Sequence, residues 1–229
     1  MNYNATKHSI YRNNNIRKIM KLLYTVNSPY ARKVRIVAAE KHIDITLQEV
    51  VLADPDCPVK QYNPLGKVPV LILADGDSLY DSRVISEYLD NRNPVAHLIP
   101  KDNSSKSAVR RWEALADGVC DAAVAVMLEQ RKPEAKQDPA FILKQMDKVT
   151  RGLSALNDEL GKNHDAGQNK WCVDDTFSLA DIAVGCMLGY VSLRFGSVID
   201  LAADYPNLER LQANLLKRQS FKDSLPVAN

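Results

Sequence analysis

A serine placed directly before a proline, Ser28-Pro29, follows the β-prone run Leu22-Leu23-Tyr24-Thr25-Val26 and opens a segment with helical spacing. A helix N-terminus offers free N–H donors and partial positive charge, so it stabilises an anion. A serine hydroxyl at that point can also donate to a bound thiolate. Lowering a thiol pKa by about two units takes roughly 2.7 kcal/mol, within reach of one hydroxyl plus a helix end. The bland alternative is that Ser28 only caps the helix.

The second feature is Asn63-Pro64-Leu65-Gly66-Lys67-Val68-Pro69-Val70-Leu71. A proline at the start of a strand removes a ladder donor, so it belongs at an edge or in the cis form. A cis proline turns the N–H and C=O of Val68 outward, where an extended peptide can pair with them like an added strand. A plain turn is the simpler reading of this segment alone. Third, Asp81-Ser82 precedes another helical pattern. Ser82 can hold a carboxylate through its hydroxyl and N–H, and Asp81 an ammonium, so the pair suits an amino-acid zwitterion. An ordinary N-cap explains it equally well. Fourth, Ser178-Leu179-Ala180-Asp181 has capping-box spacing and reads as a folding device. Finally, Glu113, Asp117 and Asp121 lie four apart on one helical stretch. Like charges at that spacing repel by a few tenths of a kcal/mol per pair. With Arg110 and Arg111 compensating, they form a solvated face or line a cleft between domains or subunits.

The elements that carry these residues fall into two halves. After the first strand and the helix from Pro29, Ile43 to Leu52 reads as a second strand. Asp54 to Pro58 is an irregular loop with room for a short helix. Val68 to Leu73 is a third strand, and Asp75-Gly76-Asp77 turns into Ser78-Leu79-Tyr80. A helix then runs from Ser82 through Leu89. On the helix after Pro29, Val34, Val37 and Ala38 form the apolar face, with Arg32, Lys33, Arg35 and Lys41 around the other. Past Asn93-Pro94 the strand signals stop. Helical patterns cover Ser104–Gln130, Asp138–Leu160, Leu179–Phe195 and Pro206–Lys217. The order βαβαββα followed by helices alone predicts two packed domains, residues 20–95 and 100–229.

Residues 1–19 are rich in Asn, carry Lys7, Arg12, Arg17 and Lys18 without an acid, and lack a signal-peptide core. They read as a flexible extension or as the product of a start upstream of Met20. The 229-residue chain has 30 basic and 28 acidic side chains, a net charge of +2; without the extension the balance is −2. That excludes a nucleic-acid binder working through a basic surface. The longest uncharged apolar stretch, Ile182 to Leu193, is too short to span a bilayer. Cys57, Cys120, Cys172 and Cys186 form no C-x-x-C pair, and the four histidines show no ligand spacing. A reducing cytoplasm and no metal are expected.

Taken in order, Ser-Pro-aromatic-x-Arg-Lys, N-P-L-G-K-V-P-V-L, D-S and S-L-A-D resemble the glutathione S-transferase superfamily, from Met20 to about Phe221. Glu113-Ala-Leu-Ala-Asp-Gly118 with Glu129-Gln-Arg-Lys-Pro133 is similar to a bacterial subgroup with poorly defined substrates. The resemblance implies a thioredoxin-like N-terminal domain, an α-helical C-terminal domain, a homodimer, and glutathione as co-substrate. By motif, Ser28 would face the glutathione sulfur as the catalytic residue. Val68, before an expected cis Pro69, would pair with the cysteinyl backbone. Asp81 and Ser82 would hold the γ-glutamyl end, and Lys67 would reach the glycyl carboxylate. An electrophile would lie between the domains near Tyr30, Trp112 and Tyr190.

Relatives that form mixed disulfides carry cysteine where this chain has Ser28, which counts against a thiol-transferase. Tyr24, near the end of the first strand, is the alternative catalytic hydroxyl. Arg32 is an auxiliary if it folds back toward the sulfur, and otherwise part of a solvated helix face. The expected activity is a transferase that activates the glutathione thiol against a small electrophile. The alternatives are a non-catalytic binding or regulatory protein, or a glutathione-dependent peroxidase, dehalogenase or isomerase.

Overall fold

A computed structural model describes residues 19–94, 96–165, 167 and 170–227. The expected extension lies outside them apart from Ile19. Strands β1 (Met20–Tyr24), β2 (Ile45–Glu49), β3 (Val70–Ile72) and β4 (Ser78–Leu79) are interleaved with helices α1 (Pro29–Glu40), α2 (Val59–Tyr62) and α3 (Ser82–Arg92). The chain then continues as α4 (Asn103–Gln130), α5 (Pro139–Asp165), α6 (Leu179–Phe195), α7 (Leu201–Asp204), α8 (Pro206–Leu215) and α9 (Gln219–Lys222). The change of sequence period predicts this mixed α/β half followed by an all-helical half, and the sheet half is the thioredoxin-like arrangement that the resemblance implies.

The sheet order is β2-β1-β3-β4. β1 and β2 are parallel, which requires a crossover, and α1 supplies it. β1–β3 and β3–β4 are antiparallel. Gly76 turns the β3–β4 hairpin with φ at +103°, a conformation that L side chains rarely adopt. Neighbouring residues of a strand face opposite sides of its sheet, so Leu22 and Leu23 enter different clusters. Leu22 joins the main core, with residues of α1, α3 and the helical half. Leu23 packs with Val50, Val59 and Val70 around α2. β1 ends at Tyr24, two residues short of the predicted run, because the Thr25 carbonyl accepts the Ser28 N–H (3.1 Å) in a turn. β2 is likewise only Ile45–Glu49.

The two halves share one core. α6 is apolar on every side and packs against α1, α4 and α8. The connection is pinned by Asp90, whose carboxylate accepts the N–H groups of Leu98 (2.8 Å) and Ile99 (3.2 Å) and pairs with Lys41 (3.0 Å). The Leu98 carbonyl in turn accepts the Leu179 N–H at the head of α6 (2.8 Å).

That helix head is closed by the predicted capping box. Asp181 accepts the N–H groups of Cys172 and Ser178, each at 2.8 Å, and the Ser178 hydroxyl at 3.1 Å. Burial pushes its carboxyl up to about 6, although the N–H donors favour the ionised form. Asp181→Ala leaves two buried N–H groups unpaired at about 1–3 kcal/mol each. Urea unfolding of that variant is expected to show a loss of about 3 kcal/mol; a loss under about 1 kcal/mol would mean that the cap is dispensable.

Candidate functional site

The strand registers bring three loops to one end of the sheet: the β1–α1 turn, the loop before β3, and the start of α3 after β4. At the first, Ser28 is the N-cap of α1 and Pro29 its first residue. The Ser28 hydroxyl accepts the Ala31 N–H (3.2 Å), and the Ser28 carbonyl accepts the Arg32 N–H (2.9 Å). Capping occupies a lone pair of the hydroxyl oxygen and leaves its proton available to a guest. The first turn of α1 carries no acidic side chain of its own, which suits an anion at the helix head.

At the second, the Val68–Pro69 bond is cis. Asn63, buried, organises the approach: its amide donates to the Lys67 carbonyl (2.9 Å) and its side-chain oxygen accepts the Leu65 N–H (3.0 Å). Gly66 sits at φ +62°, which only glycine adopts without strain. Val68 is half-buried against the Leu23 cluster. Lys67 is exposed. At the third, Asp81 is exposed and caps α3, accepting the Arg83 N–H at 3.0 Å, while Ser82 is buried at the first helical position.

The three predicted contributors to an electrophile site are placed less openly. Tyr30 is half-buried, and its hydroxyl donates to Asp121 of α4. Burial and that hydrogen bond raise its pKa, so it stays protonated. Trp112 is 1% exposed and belongs to the core, which corrects its expected place at a cleft wall: α4 turns it inward into the main cluster. Tyr190 is 3% exposed, and its hydroxyl has no partner among the described residues. Burial raises its pKa. Tyr24 lies beneath the Arg35 guanidinium, 5.0 Å from its ring centroid.

Two expectations for α1 are overturned. Arg32 and Lys33 do not form a solvated face; they are 3% and 1% exposed. Arg32 also does not fold back toward Ser28. Its Nε, Nη1 and Nη2 donate to Ser224 Oγ, the Gly185 carbonyl and the Phe221 carbonyl, at 3.3, 3.3 and 3.4 Å. The reason is that α1 is covered by α6 and α9, so its charged positions face protein.

Lys33 reaches the acidic row on α4. Its ammonium contacts Glu113 and Asp117, each at 2.9 Å. Burial alone would lower the Lys33 pKa, but Asp117 and Glu113 outweigh it and hold the ammonium above its ordinary value. Asp117 also accepts Arg83 Nε (3.0 Å), and Arg110 bridges Glu113 (2.7 Å) and Glu87. So Glu113 and Asp117 line the contact between the halves, whereas Asp121 is exposed and Arg111 pairs with Glu159. One carboxylate thereby holds both helices whose N-termini carry Ser28 and Asp81-Ser82. The sequence signal was the four-residue spacing of the acids; nothing in it named Lys33 as their partner. A last contact at the site joins distant parts of the chain: Asn27 donates to the Val227 carbonyl (3.0 Å) and accepts the Val227 N–H (2.8 Å).

Comparison with known proteins bears on the family and the fold. The N-terminal and C-terminal domain families of glutathione S-transferase match residues 22–97 and 108–211. The uncharacterized GST-like protein YibF of Escherichia coli (strain K12) is 37% identical over 90% of this chain and 98% of its own. A glutathione S-transferase structure from Methylobacillus flagellatus, with glutathione bound, is 63% identical, with a TM-score of 0.86 over 91% of this chain and all of that one. One from Methylobacterium radiotolerans, in complex with glutathione sulfonate, is 40% identical, with a TM-score of 0.85 over 92% and 96%. The chain belongs to the glutathione S-transferase superfamily. Among the described residues no group of His, Cys, Asp and Glu is placed to hold a metal ion, and no helix is long and apolar enough to cross a membrane.

Lys33→Met would leave Glu113 and Asp117 with only Arg110 and Arg83. Breaking a buried pair in this way costs about 3 kcal/mol or more, expected as a lowered urea midpoint with an unchanged slope. A change below about 1 kcal/mol would show that the cluster does not hold the two halves together.

Proposed function

We propose that this chain is a glutathione transferase in which Ser28 stabilises the thiolate of bound glutathione for attack on a small electrophile. The observation that carries the reading is the Ser28 hydroxyl at the head of α1, an acceptor toward Ala31 and still a potential donor. A thiolate at that point gains the hydroxyl proton and the helix end together. In this reading Val68 pairs its main chain with the cysteinyl unit of the tripeptide. Asp81 takes the γ-glutamyl ammonium, and Ser82 the adjoining carboxylate through its N–H and hydroxyl. Lys67, exposed beside the cis bond, takes the glycyl carboxylate. The sulfur forms its bond to the electrophile directly, and the leaving group departs or a proton is added; no covalent bond to the enzyme is needed. Tyr30 borders the electrophile, and Tyr190, 3% exposed, reaches it only from behind that wall. Domains of residues 20–95 and 100–229, a homodimer and a cytoplasmic setting complete the proposal, and a role in detoxification would follow from it. The relatives with glutathione or its sulfonate bound support glutathione as co-substrate.

A second reading, isomerisation by reversible thiolate addition, is favoured by one comparison. The maleylacetoacetate isomerase of Pseudomonas aeruginosa is 29% identical over 91% of this chain and 96% of its own.

Ser28→Ala is expected to lower the conjugation rate by more than about tenfold with only a modest change in glutathione affinity. Steady-state kinetics with a halogenated aromatic substrate and calorimetric titration with glutathione separate the two quantities. Unchanged turnover would remove the hydroxyl from the mechanism. Absence of glutathione binding by the wild type would support a regulatory module instead.

A further inference from the structure

Of the acids spaced four apart along α4, Glu113 and Asp117 have their charges matched. Both lie inside the protein against Lys33, with Arg110 on Glu113 and Arg83 on Asp117. Asp121, one turn further on, is exposed, and no cation pairs with it among the described residues. What it holds is the Tyr30 hydroxyl, which donates to Asp121 Oδ1. That bond runs from the first turn of α1, two residues past Ser28, to the helical half.

The direction of the bond decides what a guest meets. A phenol has one proton to donate, and this one goes to a carboxylate, so the Tyr30 oxygen keeps only lone pairs for anything else. An ionised carboxylate is acceptor-only as well. Burial first, and then the bond to Asp121, hold the phenol in its protonated form. The pair therefore offers acceptors, one negative charge and no donor. A guest bearing an N–H or O–H is matched by it, whereas an anionic guest is opposed, the more so where water is partly excluded. On α6 the charged neighbour of Tyr190 is Arg194, its guanidinium 5.6 Å from that ring centroid, and it would act on an anion in the opposite sense.

We propose that Asp121, acting with Tyr30, determines which electrophiles the site accepts: neutral or cationic ones that carry an amide, amine or hydroxyl donor, in preference to carboxylates and other anions. This rests on the reading of Ser28 as the neighbour of the glutathione sulfur, and it adds the chemical class of the second substrate. Glu113 and Asp117 cannot serve in this way, because the cations around them already satisfy their charge.

Calorimetric titration of the full-length protein at low ionic strength and pH 7 tests this with three probes: glutathione, S-(4-carbamoylbenzyl)glutathione and S-(4-carboxybenzyl)glutathione. The two conjugates share the tripeptide and the ring and differ only in the para group, a neutral donor in one and an anion in the other. The carboxamide is expected to bind at least about tenfold more tightly than the carboxylate, the difference one charge-assisted contact provides. In Asp121→Asn, confirmed folded by circular dichroism, that ratio should fall below about threefold. If the variant does not fold, the wild-type ratio decides. Equal wild-type affinities, tighter binding of the carboxylate through Arg194, or an unchanged ratio in Asp121→Asn would each overturn the proposal and leave the glutathione reading standing. Failure of all three probes to bind would remove that reading, and the proposal with it.

Discussion

The Lys33 ammonium is the point on which the arrangement of the two halves depends. It lies inside the protein between Glu113 and Asp117, and Asp117 also takes Arg83. Charges in such surroundings are held in place by the energy of being left alone: displacing one exposes the others to a medium that solvates them poorly. This makes the cluster stiff in a way that apolar packing is not, since a leucine can slide where an ion pair cannot. Because α1 and α3 begin at the loops that carry Ser28 and Asp81-Ser82, a shift of α4 would be passed to both helix heads at once. The site's geometry is therefore set from the helical half, although nearly all of its side chains come from the sheet half.

The helix heads themselves show how one residue can serve folding and chemistry without conflict. Capping uses the acceptor side of a hydroxyl or carboxylate. Ser28 keeps a proton after capping α1, and Asp81 keeps its second oxygen after accepting from Arg83. Asp181 is the contrasting case. It accepts two N–H groups and a hydroxyl and is wholly enclosed, so no capacity remains for a guest. The same capping chemistry is structural at α6 and open to a ligand at α1 and α3, and the difference is solvent access rather than residue type.

The change from a period of two to a helical period near Asn93 and Pro94 carried the architecture, and the Pro, Ser and Asp residues at element boundaries placed the helix starts closely. α6 was legible as an interior helix because it is apolar on all sides. The partners of charged residues were not legible. On α1, Arg32 and Lys33 follow the pattern of a wet face, yet α6 and α9 cover it. Helical spacing tells which residues share a face, but the identity of the covering element is a tertiary fact. Trp112 shows the same limit: an aromatic at a domain boundary reads equally as cleft wall or core, and burial in the main cluster made it core. The caps at Ser28 and Asp81 and the cis Val68–Pro69 bond were legible because each is completed within a few residues of its own turn.

The paired hydrogen bonds between Asn27 and Val227 have a practical meaning. The final described residue, Val227, is stitched to the loop next to Ser28, so the segment after α9 borders the candidate site. Affinity tags or reporter fusions appended after it would leave the described fold beside the candidate site, whereas the same additions ahead of β1 would join the chain at the opposite end of that strand.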